Sequence, residues 1–92
     1  MSSSPQVVVV GSVMQDLTFA CAEFPNRGET VVGRLSIGQG GKGSNQSVAA
    51  ARAGGQVSFI AKLGRDSFGD IALKTWAADG IDTSHVAISD TV

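Results

Sequence analysis

Four glycines, Gly38, Gly40, Gly41 and Gly43, crowd around Lys42 in the stretch IGQGGKGSNQ. Glycine costs about 0.5–1 kcal/mol relative to alanine inside regular structure. A cluster of them marks a turn with unusual dihedrals or a backbone that something must approach closely. The small residues that follow, Ser44 to Ala53, favour a helix. Backbone N–H groups at the start of a helix point outward without partners, and glycines put no Cβ in a ligand's way. Lys42 can only donate, whereas Asn45, one turn on, donates and accepts. Asp16, upstream, is an acceptor of the kind that sugar hydroxyls need. Bare backbone, donors and a carboxylate together suit a neutral polyhydroxylated ligand.

Other readings of the same residues stay open at this point. A glycine-rich turn between a strand and a helix needs no ligand at all. Gly38-x-Gly40-x-x-Gly43 also fits the G-x-G-x-x-G pattern of dinucleotide sites, with Asp66 about 20 residues on. That pattern expects a buried, unalternating strand before it, and the strand here alternates. A P-loop is excluded, because Gly41-Lys42 is followed by Gly43 rather than by Ser or Thr.

The elements that must position these residues are legible in outline. Gln6 to Ser12 is a β-branched run without alternation, which reads as a strand covered on both faces of a parallel sheet. Asp16 lies just past it, at the carboxyl end where α/β sheets bind ligands. FPNRGE (Phe24 to Glu29) is turn chemistry. Thr30 to Ile37 alternates and predicts a strand with one wet face, in a second and more exposed sheet. After the small-residue helix and Gly54-Gly55, Val57 to Gly64 predicts a second buried strand. Ser67-x-x-Asp70 resembles a capping box opening a helix with Phe68, Ala72 and Trp76 on one stripe. Gly80 closes that helix, and Ser84 to Ser89 starts a third strand. Without the exposed strand the order is βαβαβ, a doubly wound α/β arrangement.

The chain has 92 residues and a net charge of −1, with 16% charged residues. One small domain is the upper bound, and nothing in the charge suggests a nucleic acid or an anionic membrane as partner. Charged residues are scarcer than the usual 25% or so, so much of the chain expects to be covered by other protein. The one cysteine, Cys21, permits no intrachain disulfide and fits a reducing compartment. The apolar run Val7 to Val10 is too short for a signal peptide or membrane span, so a cytoplasmic location is expected. Three parallel strands and two helices cannot cover both faces and both edges of a sheet. Residues 1–92 are therefore expected to be the N-terminal part of one larger domain.

GGKGSNQSVAAARAGG, flanked by VVVVGSVMQDL, FPNRGETVVG and FIAKLGRDSFGD, resembles the N-terminal third of ribokinases, in the PfkB family of carbohydrate kinases. The likeness runs nearly the full length of the chain. It implies a ribokinase-like α/β/α three-layer fold with a small β-sheet lid, the lid strand covering approximately residues 24–38. It implies a homodimer through paired lids. The implied reaction is transfer of the ATP γ-phosphoryl group to the 5-hydroxyl of D-ribose, with Mg²⁺ and a monovalent cation (K⁺). Asp16, Gly41, Lys42 and Asn45 match sugar-binding positions. Met14 and Gln15 share Asp16's loop, and Gly43 and Ser44 complete the block. Met14 departs from those ribokinases that carry asparagine there; it cannot replace that polar contact, and packing on a sugar ring face is the role left to it. The family's catalytic aspartate, in a Gly-Ala-Gly-Asp motif, lies downstream with the anion hole and ATP pocket. None falls within 92 residues, so this chain alone is expected to be inactive. Alternatives are a non-catalytic dimerising fragment or a kinase for a related sugar or nucleoside.

Overall fold

The run of β-branched residues at Gln6–Val10 forms β1, the first strand of a computed structural model that describes residues 4–91. After it come β2 (Met14–Ala20), β3 (Arg34–Gly40), α1 (Lys42–Arg52), β4 (Gln56–Ile60), β5 (Lys62–Gly64), α2 (Ser67–Ala78) and β6 (Ala87–Ser89). β1 lies parallel to β4, with Val7 beside Val57 and Val9 beside Phe59. β5 lies parallel to β6. The single strand expected over Val57 to Gly64 keeps its direction but changes neighbour at Ala61. Up to Phe59 its outer partner is Asp82, whose carbonyl accepts from the Phe59 N–H at 3.0 Å. From Ala61 the outer partner is the β6 segment, where the Ala87 N–H donates to the Ala61 carbonyl at 2.9 Å. The spatial order is β1, β4 with β5, then β6, which realises the expected βαβαβ unit.

Strands that advance in one direction through right-handed crossovers place successive helices on one face. α1 and α2 accordingly lie side by side, with the Trp76 indole N–H of α2 donating to Ser44 Oγ of α1 at 3.1 Å. Beneath them Val9, Val57, Phe59, Leu63, Ala72, Trp76 and Ile81 form the core. The other face of the sheet is bare: Val8 is 65% and Val10 73% exposed. The expectation that β1 is covered on both faces is thus corrected among the described residues, which build two of the three layers. Helix α2 also begins differently from the expected box. Asp66 is its N-cap and accepts from the Gly69 N–H at 2.8 Å. Ala72 and Trp76 turn inward as expected, but Phe68 stays exposed and Gly69 takes the buried place.

β2 and β3 form an antiparallel ribbon paired from Met14 with Gly40 to Ala20 with Arg34. It projects from the sheet and lengthens the molecule to 60 Å, against 32 Å and 18 Å across. β2 has no counterpart among the strands expected, and β3 is shifted from Thr30–Ile37 to Arg34–Gly40. The pairing partner sets those limits, because a ribbon strand persists only where the opposite strand supplies ladder bonds. Of the approximate lid strand 24–38, residues 24–33 form the connection, with a turn in which the Glu29 N–H donates to the Asn26 carbonyl at 3.0 Å.

Candidate functional site

The root of the ribbon meets the start of α1 at Gly40-Gly41. Side chains alternate across a ribbon, so Met14 and Asp16 share one face with Gly38 and Gly40. The Asp16 carboxylate lies directly on the backbone of Gly40. A Cβ at position 40 would stand 2.6 Å from Oδ2 and 3.0 Å from Oδ1. Gly38, Asp16's cross-strand partner, leaves the same face open. Asp16 is therefore seated in the ribbon, not on the carboxyl rim of the buried sheet as its sequence position suggested. β2 lifts it away from β1.

Gly41 turns the chain from β3 into α1. Its φ of +91° lies where only glycine is comfortable, and a Cβ there would meet Met14 N and Val13 Cα at 2.8 Å. No side chain caps α1, and its first turn contains no acidic residue. The Ser44 N–H donates to the Ser12 carbonyl at 3.2 Å and the Asn45 N–H to the Gly41 carbonyl at 3.0 Å. The N–H groups of Lys42 and Gly43 have no partner among the described residues, which leaves the helix's positive end open to an acceptor. Lys42 and Asn45 are exposed and Gly43 is buried. Asn45 borders a groove of about 530 Å³ between β3 and the two helices, with Ile37, Gly38 and Gln39.

The structure thus gathers Asp16, Gly41 and Lys42 at one corner, with Asn45 one turn along α1. It gives two of the candidate residues other work. Ser44 is 1% exposed, with its hydroxyl accepting from the Trp76 indole N–H. Gln15 lies on the opposite ribbon face. Its amide donates to the Gly38 carbonyl at 2.8 Å and accepts from Gln39 Nε2 at 3.0 Å. The burial of Gln39 Oε1 without a partner among the described residues ends that amide chain. Met14 is exposed beside Asp16 and offers only a thioether. Asp66, the candidate ribose contact of a dinucleotide site, is spent as the α2 cap. Gly38 and Gly40 sit in an antiparallel ribbon. That arrangement is not a dinucleotide fingerprint. The seat that Gly40 provides was not anticipated. The alternation of Asp16 and Thr18 with Leu17 and Phe19 was the available signal for β2.

A parallel β–α layer with an antiparallel ribbon projecting from it is the fold of the ribokinase-like carbohydrate kinases over this stretch. The chain belongs to that family: the pfkB family carbohydrate kinases match residues 4–92. It is similar to a ribokinase of Haemophilus influenzae, 43% identical over 81 residues, which covers 87% of this chain and 26% of the relative. A deoxyribokinase of Salmonella typhimurium is 40% identical over 81 residues, covering 87% of this chain and 26% of that protein. Among solved structures, a ribokinase of Cryptococcus neoformans in complex with ADP superposes with a TM-score of 0.75 at 36% identity, covering 94% of this chain and 27% of that one. The chain spans about a quarter of the length of these relatives.

Proposed function

We propose that the chain is the sugar-binding, N-terminal part of one ribokinase-like domain, in a kinase that transfers the γ-phosphoryl group of ATP to the 5-hydroxyl of D-ribose. The observation that carries this reading is the Asp16 carboxylate lying on the bare backbone of Gly40, beside Gly41 and Lys42. Phosphoryl transfer needs chiefly positioning and charge stabilisation. In this reading Asp16 accepts from sugar hydroxyls. The N–H groups of Lys42 and Gly43, with the Lys42 ammonium and the Asn45 amide, supply the remaining polar contacts. The β2–β3 ribbon serves as the lid, closing over the sugar and excluding water that would otherwise take the phosphoryl group.

ATP, Mg²⁺ and K⁺ belong to the same reading. Among the described residues no group of three or more His, Cys, Asp or Glu side chains could hold a metal ion. One ribbon face carries Leu17, Phe19, Leu35 and Ile37, all exposed, and a second copy packed there gives a homodimer. No helix among the described residues is long and apolar enough to cross a membrane, and the thiol of Cys21 is free. A reducing, cytoplasmic setting suits it.

The test is ADP production by the full-length protein with ribose, 2-deoxyribose, fructose and adenosine as acceptors. Ribose should give the highest kcat/KM. Failure of every sugar would sink the reading. Met14 supports a second one. An apolar side chain beside Asp16 suits an acceptor with one hydroxyl fewer, as does the likeness to a deoxyribokinase. A preference for 2-deoxyribose would select it.

A further inference from the structure

The start of α1 is a glycine-rich turn with no side-chain cap, yet the sugar reading requires it to hold its donors still. Beside the bonds within the turn, from the Asn45 N–H to the Gly41 carbonyl and from the Ser47 hydroxyl to the Gly43 carbonyl, two hydrogen bonds of Ser44 tie it to its surroundings. Ser44 donates its N–H to the carbonyl of Ser12, two residues past β1, and accepts the Trp76 indole N–H on its hydroxyl. Ser44 is 1% exposed and Trp76 fully buried. The Trp76 ring also stands edge-on to Phe59 of β4, with centroids 5.0 Å apart and planes at 81°. The indole fills that core position, and its buried N–H needs a hydrogen-bond partner. Among the described residues that partner is Ser44, next in sequence to Gly43 and Asn45.

We propose that Trp76 is a positioning residue for sugar binding: through Ser44 its indole N–H pins the first turn of α1, so that the Lys42 and Gly43 N–H groups and the Asn45 side chain face the sugar. This inference rests on the sugar-kinase reading above. Trp76 does not touch the sugar. It links the centre of the sheet to the turn that does. A side chain that only filled the core would affect folding and leave sugar affinity alone.

The experiment uses the full-length protein with Trp76→Phe, Ser44→Ala and the double variant, and Asp16→Asn as a control. Ribose and ATP titrations are run on each, with thermal melts alongside. Trp76→Phe keeps an aromatic side chain but removes the donor together with the five-membered half of the indole, so its melt also carries a cavity cost; Ser44→Ala removes the acceptor at little steric cost and is the cleaner variant. Each single variant should raise the ribose KM about three- to tenfold, with the ATP KM within about twofold. The double variant should be no worse than either single, because both remove one bond. In the NMR spectrum, the indole N–H signal that vanishes in Trp76→Phe should shift on adding ribose. An unchanged ribose KM in both single variants, with lowered melting temperatures, would reduce Trp76 to a core residue. Fully multiplicative effects in the double variant would also overturn the proposal. If Trp76→Phe fails to fold, Ser44→Ala decides. If Asp16→Asn leaves ribose kinetics unchanged, the sugar reading fails and takes this inference with it. If Asp16→Asn raises the ribose KM while the other variants do not, only this inference fails.

Discussion

Replacing Gly40 with alanine should damage sugar use while leaving the fold intact. Gly40 lies in β3 and its φ is not positive, so alanine meets no backbone strain there. The new Cβ would stand 2.6 Å from Asp16 Oδ2, where ordinary contact begins near 3.4 Å, so the carboxylate must retreat by about 0.8 Å. Asp16 is exposed and can swing outward cheaply. Its hydrogen bonds to the sugar cannot follow. A hydrogen bond to a charged group is worth about 1.5–3 kcal/mol, and each 1.36 kcal/mol is about tenfold in rate. Losing one such bond therefore lowers kcat/KM for ribose about 10- to 150-fold. A displacement near 1 Å costs about 100-fold in well-oriented sites, which agrees. The assay is a pair of Michaelis titrations, ribose and ATP, on full-length Gly40→Ala and its parent. The ATP KM should stay within about twofold and the melting temperature within a few degrees. Asp16→Asn should cost about tenfold or more on its own, and adding Gly40→Ala to it should cost little further, since both act on one carboxylate. Intact ribose kinetics in Gly40→Ala would refute the placement of Asp16 as sugar acceptor.

Gly41→Ala should instead fail structurally. Its positive φ costs about 1–2 kcal/mol for an L-residue, and the clash is with backbone that cannot yield, so a denaturant titration should show a loss of about 2 kcal/mol or more. Phe19→Glu puts a charge into the apolar ribbon face and should convert a dimer into monomers in sedimentation velocity while leaving the far-UV circular dichroism unchanged. Asp82 tests linkage. The Ser84 N–H, donated to Oδ1 at 2.9 Å, holds the carboxyl below the usual carboxylate range, helped by the Ser84 side chain, His85 and Ser58. A depressed folded pKa stabilises above the unfolded value of about 3.9 and is lost as pH falls through the folded one. The melting-temperature gap between the parent and Asp82→Asn should therefore be constant above about pH 5 and close below about pH 4.

The parallel layer was legible because its signals are local and strong. The β-branched run before Gly11, the small-residue helix and the glycines that close both helices each specify an element within a few residues. What escaped is what depends on a distant partner. β2 exists because it pairs with β3 across more than a dozen residues of intervening chain, and its own composition, with Gln15, Asp16 and Thr18, argues only weakly for a strand. The break at Ala61 reflects a change of neighbour and leaves no mark in the residue types. At the site, Asp16, Gly41 and Lys42 could be marked from residue chemistry. The inward turn of Ser44 could not, because helical phase at an irregular N-terminus depends on the packing of Trp76 against it.

The alternation along the β2–β3 ribbon sets a parity rule for how such chains can diverge. One residue inserted between Gly11 and Asp16 would rotate Asp16 to the face of Gln15 and Leu17 and remove it from its seat on Gly40. Two residues would restore its side but carry it toward the tip, opposite Ser36 and away from Gly40. The connection at residues 21–33 is under no such constraint. Its ends are already held by seven cross-strand pairs, and lengthening a loop costs only about 0.6 kcal/mol per doubling. Natural variation in length should therefore accumulate at the ribbon's tip, while the residue count from Gly11 to Asp16 stays invariant.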